Sequence, residues 1–335
     1  MKTETQVHEN NLVRFAADKP EVIVFSGDLT GSTELKRFKA TYPDRFFSLG
    51  MAEQNMMSWA GGMAREGFLP HVHTFAVFMY RRALDQIEMS IAYPNLRVRM
   101  FGFLPGITTP GGVSHQAIDD IAVLRGIPNL TIFETGDATD VESVLDLAHA
   151  VDGPVYVRMI RKEVPRLFPA DRPTDFNTVR VVSEGTDVTL VTAGITTEEA
   201  IRATAFLRSK GVSVEHLHAS TIKPFSDEQV VASAAKSRYG VLTAENHTII
   251  GGLGTCVAEL LAEHGVGSRL VRLGLNDSYA HGASREYLMR EYGLDALSIV
   301  HRVEGMIGES FGASEADLAE VRVSDFVAAG QLEAL

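Results

Sequence analysis

The sequence predicts an α/β protein of two doubly wound domains, the first with a mainly parallel sheet and the second smaller. Three observations lead there. Short apolar runs alternate with helical patterns over most of the 335 residues, and such alternation means crossover units on a parallel sheet covered on both faces. One stretch without periodicity, holding Pro165, Pro169 and Pro173, interrupts the pattern as a linker would. The first apolar run ends in Ser26-Gly27-Asp28-Leu29-Thr30-Gly31-Ser32, a polar turn at the strand edge where open α/β sheets bind ligands.

Taken in order, apolar runs at 22–25, 46–49, 72–75, 97–103, 130–133 and 155–160 predict the strands of the first domain. A helix starting near Ala52 carries Ala60, Gly61, Gly62 and Ala64. Such small residues admit a neighbouring backbone at a cost of ~1 kcal/mol per glycine. Further helices are expected over 116–125 and 139–150, the second with Val141, Val144, Leu145 and Ala148 on one face. In the second domain, strands are expected at 188–192, 212–217, 240–244 and 270–273, and helices at 196–210, 227–237, 255–264, 284–292 and 296–307. The boundaries read as 1–163, a linker at 164–186, 187–310, and an acidic tail at 311–335 with no assigned role.

Composition bounds the function. The chain is 45% hydrophobic and 22% charged, ordinary for a globular protein. A net charge of −12 argues against a nucleic-acid or anionic-membrane partner. The single cysteine, Cys256, fits a reducing compartment. The polar N-terminus and the lack of any apolar run near ~20 residues complete the expectation of a soluble cytoplasmic protein.

Three features invite chemistry. Glu53, in Gly50-Met51-Ala52-Glu53-Gln54-Asn55, sits where a helix begins, a favourable place for any carboxylate; on chemistry alone it is either a helix-end decoration or a functional acid. Phe75 and Phe78 are either core residues or flat faces for a ring. His115 follows Pro110-Gly111-Gly112-Val113-Ser114, and histidine is the side chain suited to proton transfer near neutral pH. The remaining histidines show no metal-ligand spacing. Gly251-Gly252-Leu253-Gly254 is no dinucleotide fingerprint and reads as a tight turn into a helix.

Gly-Met-Ala-Glu-Gln-Asn at 50–55 closely resembles the pyrimidine-binding motif of the transketolase family of thiamine diphosphate enzymes, and the resemblance runs over roughly residues 5–308. It implies a pyrimidine-binding domain followed by a transketolase C-terminal-like domain. The latter is echoed in Thr221-Ile222-Lys223-Pro224-Phe225, Glu245-Asn246-His247 and the glycine run. In that family the glutamate hydrogen-bonds N1′ of the aminopyrimidine and sets the protonation state that activates the cofactor. By the same match Glu53 and His115 are catalytic. Asp28, Glu53, Phe75 and Phe78 bind thiamine diphosphate, and Ser32, His115 and Arg161 bind the substrate.

The family's Gly-Asp-Gly…Asn segment for Mg²⁺ and the diphosphate has no match here. That implies an amino-terminal transketolase subunit as partner, holding most of the Mg²⁺ contacts within a heterotetramer, with no metal ligand in this chain. The activity implied is transfer of a two-carbon ketol unit from a ketose to an aldehyde. The β subunit of a 2-oxo-acid dehydrogenase, or a non-catalytic assembly protein of the same fold, stays open as an alternative. Three departures imply an unusual sugar, anionic tail or acceptor. Gly111 stands where the family has an acid, Phe103 where it has a phosphate-binding histidine, and Thr5 near a usual arginine.

Overall fold

The computed structural model describes residues 2–319. A seven-stranded sheet organises the first domain. Its order is Thr221–Lys223, Thr131–Glu134, Val155–Met159, Arg99–Phe103, Leu69–Phe75, Val22–Ser26 and Phe46–Ser48. The last six pair in parallel. Central strands are buried along their whole length; Val22–Ser26 reads as an apolar run, as a strand covered on both faces does, whereas the others also bury His71, His73, Arg99 and Arg158.

The second sheet runs Leu270–Leu275, Val241–Thr248, Val188–Thr192, Val214–His218 and Arg180–Ser183, with only the last strand antiparallel. The two domains are stitched at strand level. Thr221–Lys223 leaves the second sheet and pairs antiparallel on Thr131–Glu134, Thr221 opposite Phe133.

Several elements differ from expectation. The helix expected over 116–125 starts only at Asp120, because Ala117 is engaged elsewhere: its carbonyl accepts the Gly106 N–H at 2.8 Å. The proline-rich stretch at 164–186 is docked. Val164–Pro165 pairs with Thr3–Glu4, Arg180–Ser183 extends the second sheet, and the amides of Leu167 and Phe168 donate to Asp137 Oδ2 at 3.0 and 2.9 Å. A helix over Val7–Phe15 was not expected; it buries His8, Glu9 and Asn11 beside Val7, Leu12 and Phe15, and those polar residues mask its apolar face.

Helix Glu53–Arg65 packs on a π-helical turn, Ile87–Ala92. A Cβ on Gly61 would lie 2.5 Å from the Ser90 carbonyl oxygen, whereas one on Gly62 would meet nothing. Of the two glycines, Gly61 is the one that permits the close approach. Among the described residues no helix is long and apolar enough to cross a membrane. The expected tail is described only as far as Glu315–Ala319, which buries Leu318; residues 320–335 lie outside the described residues.

Candidate functional site

The site forms at the carboxyl ends of two neighbouring strands. Phe75 is the last residue of Leu69–Phe75 and caps helix Ala76–Gln86; Phe78 lies three residues on. Their rings are 5.6 Å apart at 32°, with Phe75 buried and Phe78 half-buried. His115 meets Phe78 edge-on at 5.3 Å and lies 6.3 Å from Phe75. Its Nδ1 is 2.9 Å from Ser114 Oγ. Gly111 makes this placement possible, since a Cβ there would stand 2.7 Å from the imidazole.

Glu53 opens its helix at the positive end of the dipole and is 3% exposed. Its carboxylate accepts from Arg82 Nη1 at 2.7 Å. The same guanidinium lies 4.0 Å over the Phe78 ring, the cation–π position. Arg82 is one helical turn beyond Phe78 on Ala76–Gln86, a spacing that puts both on one face. That spacing is the signal that sequence reasoning missed. Around the pair is an opening of about 420 Å³, lined by Met51, Ala52, Gln54 and Asn55. The guanidinium is a flat, N–H-bearing group that bonds the carboxylate and stacks on the phenyl ring. An aminopyrimidine offers the same two contacts, so these residues fit that ring.

Arg161 also meets Phe75, its guanidinium 5.8 Å from the ring centre. Its Nε is buried without a partner. Burial lowers its pKa, and Glu34 opposes that shift. The structure thus brings Glu53, Phe75, Phe78, His115 and Arg161 into one neighbourhood. Asp28 and Ser32 lie in the loop after Val22–Ser26, the strand beside Leu69–Phe75, with Ser26 opposite His73. Asp28 is exposed and Ser32 half-buried; Asp28 has φ +61°, a left-handed conformation that aspartate tolerates better than most residues.

Phe103, the strand partner of Phe75, does not reach the surface. It is 0% exposed, set edge-on to His8 at 5.5 Å and tilted against His73 at 6.1 Å. As a ring in the core it does not line the substrate side, so the family's histidine is replaced here by packing. Among the described residues no group of three or more His, Cys, Asp or Glu side chains is arranged to hold a metal ion.

The second domain braces the His115 loop. Gln116 Nε2 donates to the His281 carbonyl at 3.1 Å, and a Cβ on Gly282 would lie 2.7 Å from the Pro110 oxygen. Asn246 accepts from the Ile107 amide at 2.9 Å and donates to the Pro105 carbonyl at 3.0 Å. Beneath it, the wholly buried Arg158 donates to Asp120 at 2.9 Å, to Glu134, and to the Asn246 carbonyl at 3.0 Å. Glu245, next to Asn246, accepts from the Gly254 amide at 3.0 Å. A Cβ on Gly252 would collide with its carboxylate at 2.0 Å. The glycine run is a turn wrapped around an acid, not a nucleotide loop.

Two parallel-sheet domains thus carry, at one sheet edge, a buried helix-end glutamate, an aromatic pair and a loop histidine. Two family descriptions match: the transketolase pyrimidine-binding domain over residues 2–166 and the transketolase C-terminal domain over residues 177–299. The chain is 39% identical to y4mN, an uncharacterized transketolase family protein of Sinorhizobium fredii, over 89% of this chain and 87% of that one. It is 36% identical to the 6-deoxy-6-sulfo-D-fructose transketolase subunit SqwH of a Clostridium species, over 86% and 89%. A solved split-gene transketolase, described as an inactive β4 tetramer, superposes with a TM-score of 0.83 at 36% identity, over 90% of this chain and 97% of that one. The chain belongs to the transketolase family.

Proposed function

We propose that this chain is the pyrimidine-holding half of a thiamine diphosphate-dependent transketolase, moving a two-carbon ketol unit from a ketose to an aldehyde in company with a partner chain. The observation that carries the reading is Arg82, which at once bonds the buried Glu53 carboxylate and stacks on Phe78, marking a slot built for a flat nitrogen donor. When bound, thiamine diphosphate supplies the nucleophilic carbon. Glu53 then holds a proton at N1′ of the pyrimidine, and Phe75 and Phe78 give that ring its flat face. His115, with Nδ1 taken by Ser114, presents Nε2 to a substrate hydroxyl and exchanges its proton. Asp28 faces the cofactor, while Ser32 and Arg161 face the sugar.

The diphosphate and Mg²⁺ fall to an amino-terminal transketolase subunit, two copies of each chain being the simplest closed assembly. The sulfo-sugar in the name of one relative supports an anionic ketose as donor. The single cysteine, Cys256, supports a cytoplasmic enzyme. The test is reconstitution: calorimetry should find weak thiamine diphosphate binding to this chain alone, and tight Mg²⁺-dependent binding once the partner is added, with ketol transfer appearing only then. Tight Mg²⁺-dependent binding to the isolated chain, or turnover only of 2-oxo acids with a lipoyl acceptor, would refute it.

A further inference from the structure

We propose that Arg285, contributed by the second domain across a cleft from Arg161, joins that arginine in holding the oxyanion tail of the substrate and is a specificity-determining residue. This rests on the transketolase reading above and adds to it a residue outside the pyrimidine-binding domain.

The cleft has a volume of about 140 Å³, with Thr108, Pro110 and Arg161 on one side and Ile195, Glu198 and Arg285 on the other. That is room for a phosphate or sulfonate with waters, a single water needing roughly 10–15 Å³. It adjoins the reacting end at two points. Arg161 stands over Phe75, whose ring lies 6.3 Å from His115, and Pro110 begins the loop that carries His115. A substrate with its reacting carbon at His115 therefore runs past Phe75 and Arg161 into the cleft.

Both arginines have donors to offer. Arg161 is half-buried with its Nε unpaired; Glu34, the carboxylate nearest in charge, accepts instead from the Lys162 amide at 2.8 Å. Arg285 spends one contact on Glu198, at 3.3 Å, with side chains 33% and 16% exposed. A guanidinium has five N–H donors in a fixed fork, so most of Arg285 remains for a ligand. Glu198 orients that arginine and competes with the incoming anion. A tail of three oxygens bridging two guanidinium groups gains charge-assisted bonds that an uncharged sugar cannot make.

The test uses the reconstituted complex with phosphate-terminated, sulfonate-terminated and uncharged ketoses. Arg285→Gln should lower the kcat/KM of charged relative to uncharged donors by roughly 10- to 100-fold, through KM, as expected for losing a hydrogen bond to a charged group. The two charged donors distinguish a phosphate from a sulfonate cleft. An unchanged ratio for both charged donors overturns the proposal. If the complex transfers no ketol unit, the functional reading fails, and calorimetry of inorganic phosphate on the full-length chain decides the cleft separately. There, Arg285→Gln and Arg161→Gln should each weaken binding and Glu198→Gln strengthen it; affinities unmoved by all three changes overturn it. Arg285 and Glu198 form a part-exposed pair, and such pairs contribute little to stability, so the Arg285 variant remains folded, which its melting curve checks.

Discussion

Asp140 of the first domain and His218 of the second meet at 2.8 Å, carboxylate Oδ2 to imidazole Nε2, and both side chains are 1% exposed. Asp140 also accepts from Thr174 Oγ1 at 2.6 Å, Ser220 Oγ at 3.0 Å and the Gly136 amide at 2.8 Å. His218 passes on to Thr197 at 2.7 Å through its other nitrogen. Removing the imidazole takes from Asp140 one of four hydrogen-bond partners, and the loss of a hydrogen bond to a charged group costs about 1.5–3 kcal/mol. His218→Ala is therefore expected to lower the unfolding free energy by that amount in urea denaturation, and a loss below about 1 kcal/mol would show that water or neighbouring hydroxyls replace the imidazole.

Gly111 gives a second expectation. Any side chain there starts 2.7 Å from the His115 ring, so Gly111→Ala must turn the imidazole away from Phe78. Misplacing a reacting group by about 1 Å costs about 10²-fold. Ketol transfer should fall by that order while the melting temperature holds, since residue 111 is exposed. Unchanged kcat/KM would remove His115 from the chemistry or show that its loop yields freely.

A third concerns pH. Burial pushes the Glu245 carboxyl up to about 8 from 4.5, against the amides of Gly254 and Leu253, which pull the other way. Its folded pKa lies above its unfolded one, so the protonated group contributes stability in full below about pH 4.5 that is lost as pH rises through 8. Glu245→Gln should flatten the stability profile between those limits and leave the variant more stable than the parent at pH 9. His247, Arg158 and Glu134 surround the group, so the comparison is made by difference between the two proteins. Identical slopes would mean that Glu245 is ionised in the fold.

Much of this was legible in the sequence, for physical reasons that differ by residue. Buried parallel strands announce themselves as apolar runs, which is why Val188–Thr192 and Val155–Met159 were found to within a residue. Local position alone left a helix-end carboxylate and core aromatics as equally good readings; Glu53, Phe75, Phe78 and His115 stood out through motifs that resemble those of the transketolase family. Arg82 did not, since an arginine on a helix surface is unremarkable until its neighbours across the fold are known. The Asp140–His218 pair spans 78 positions, and no local pattern encodes a pairing at that range. Strand Thr221–Lys223 was missed for the same reason: three residues crossing to another domain's sheet carry no periodicity. Phe103 was placed on the substrate side by its position in a motif, and only packing reveals that its ring turns inward.

The central claim is that Glu53 sets the protonation state of the bound cofactor. The direct measurement is ketol transfer by the reconstituted complex carrying Glu53→Gln, beside its thiamine diphosphate affinity and its assembly state. The account expects transfer to fall by roughly 10²–10⁴ with assembly intact and the cofactor still bound. Near-normal turnover in a stable, cofactor-loaded complex would contradict it and leave Glu53 as a carboxylate that merely begins a helix.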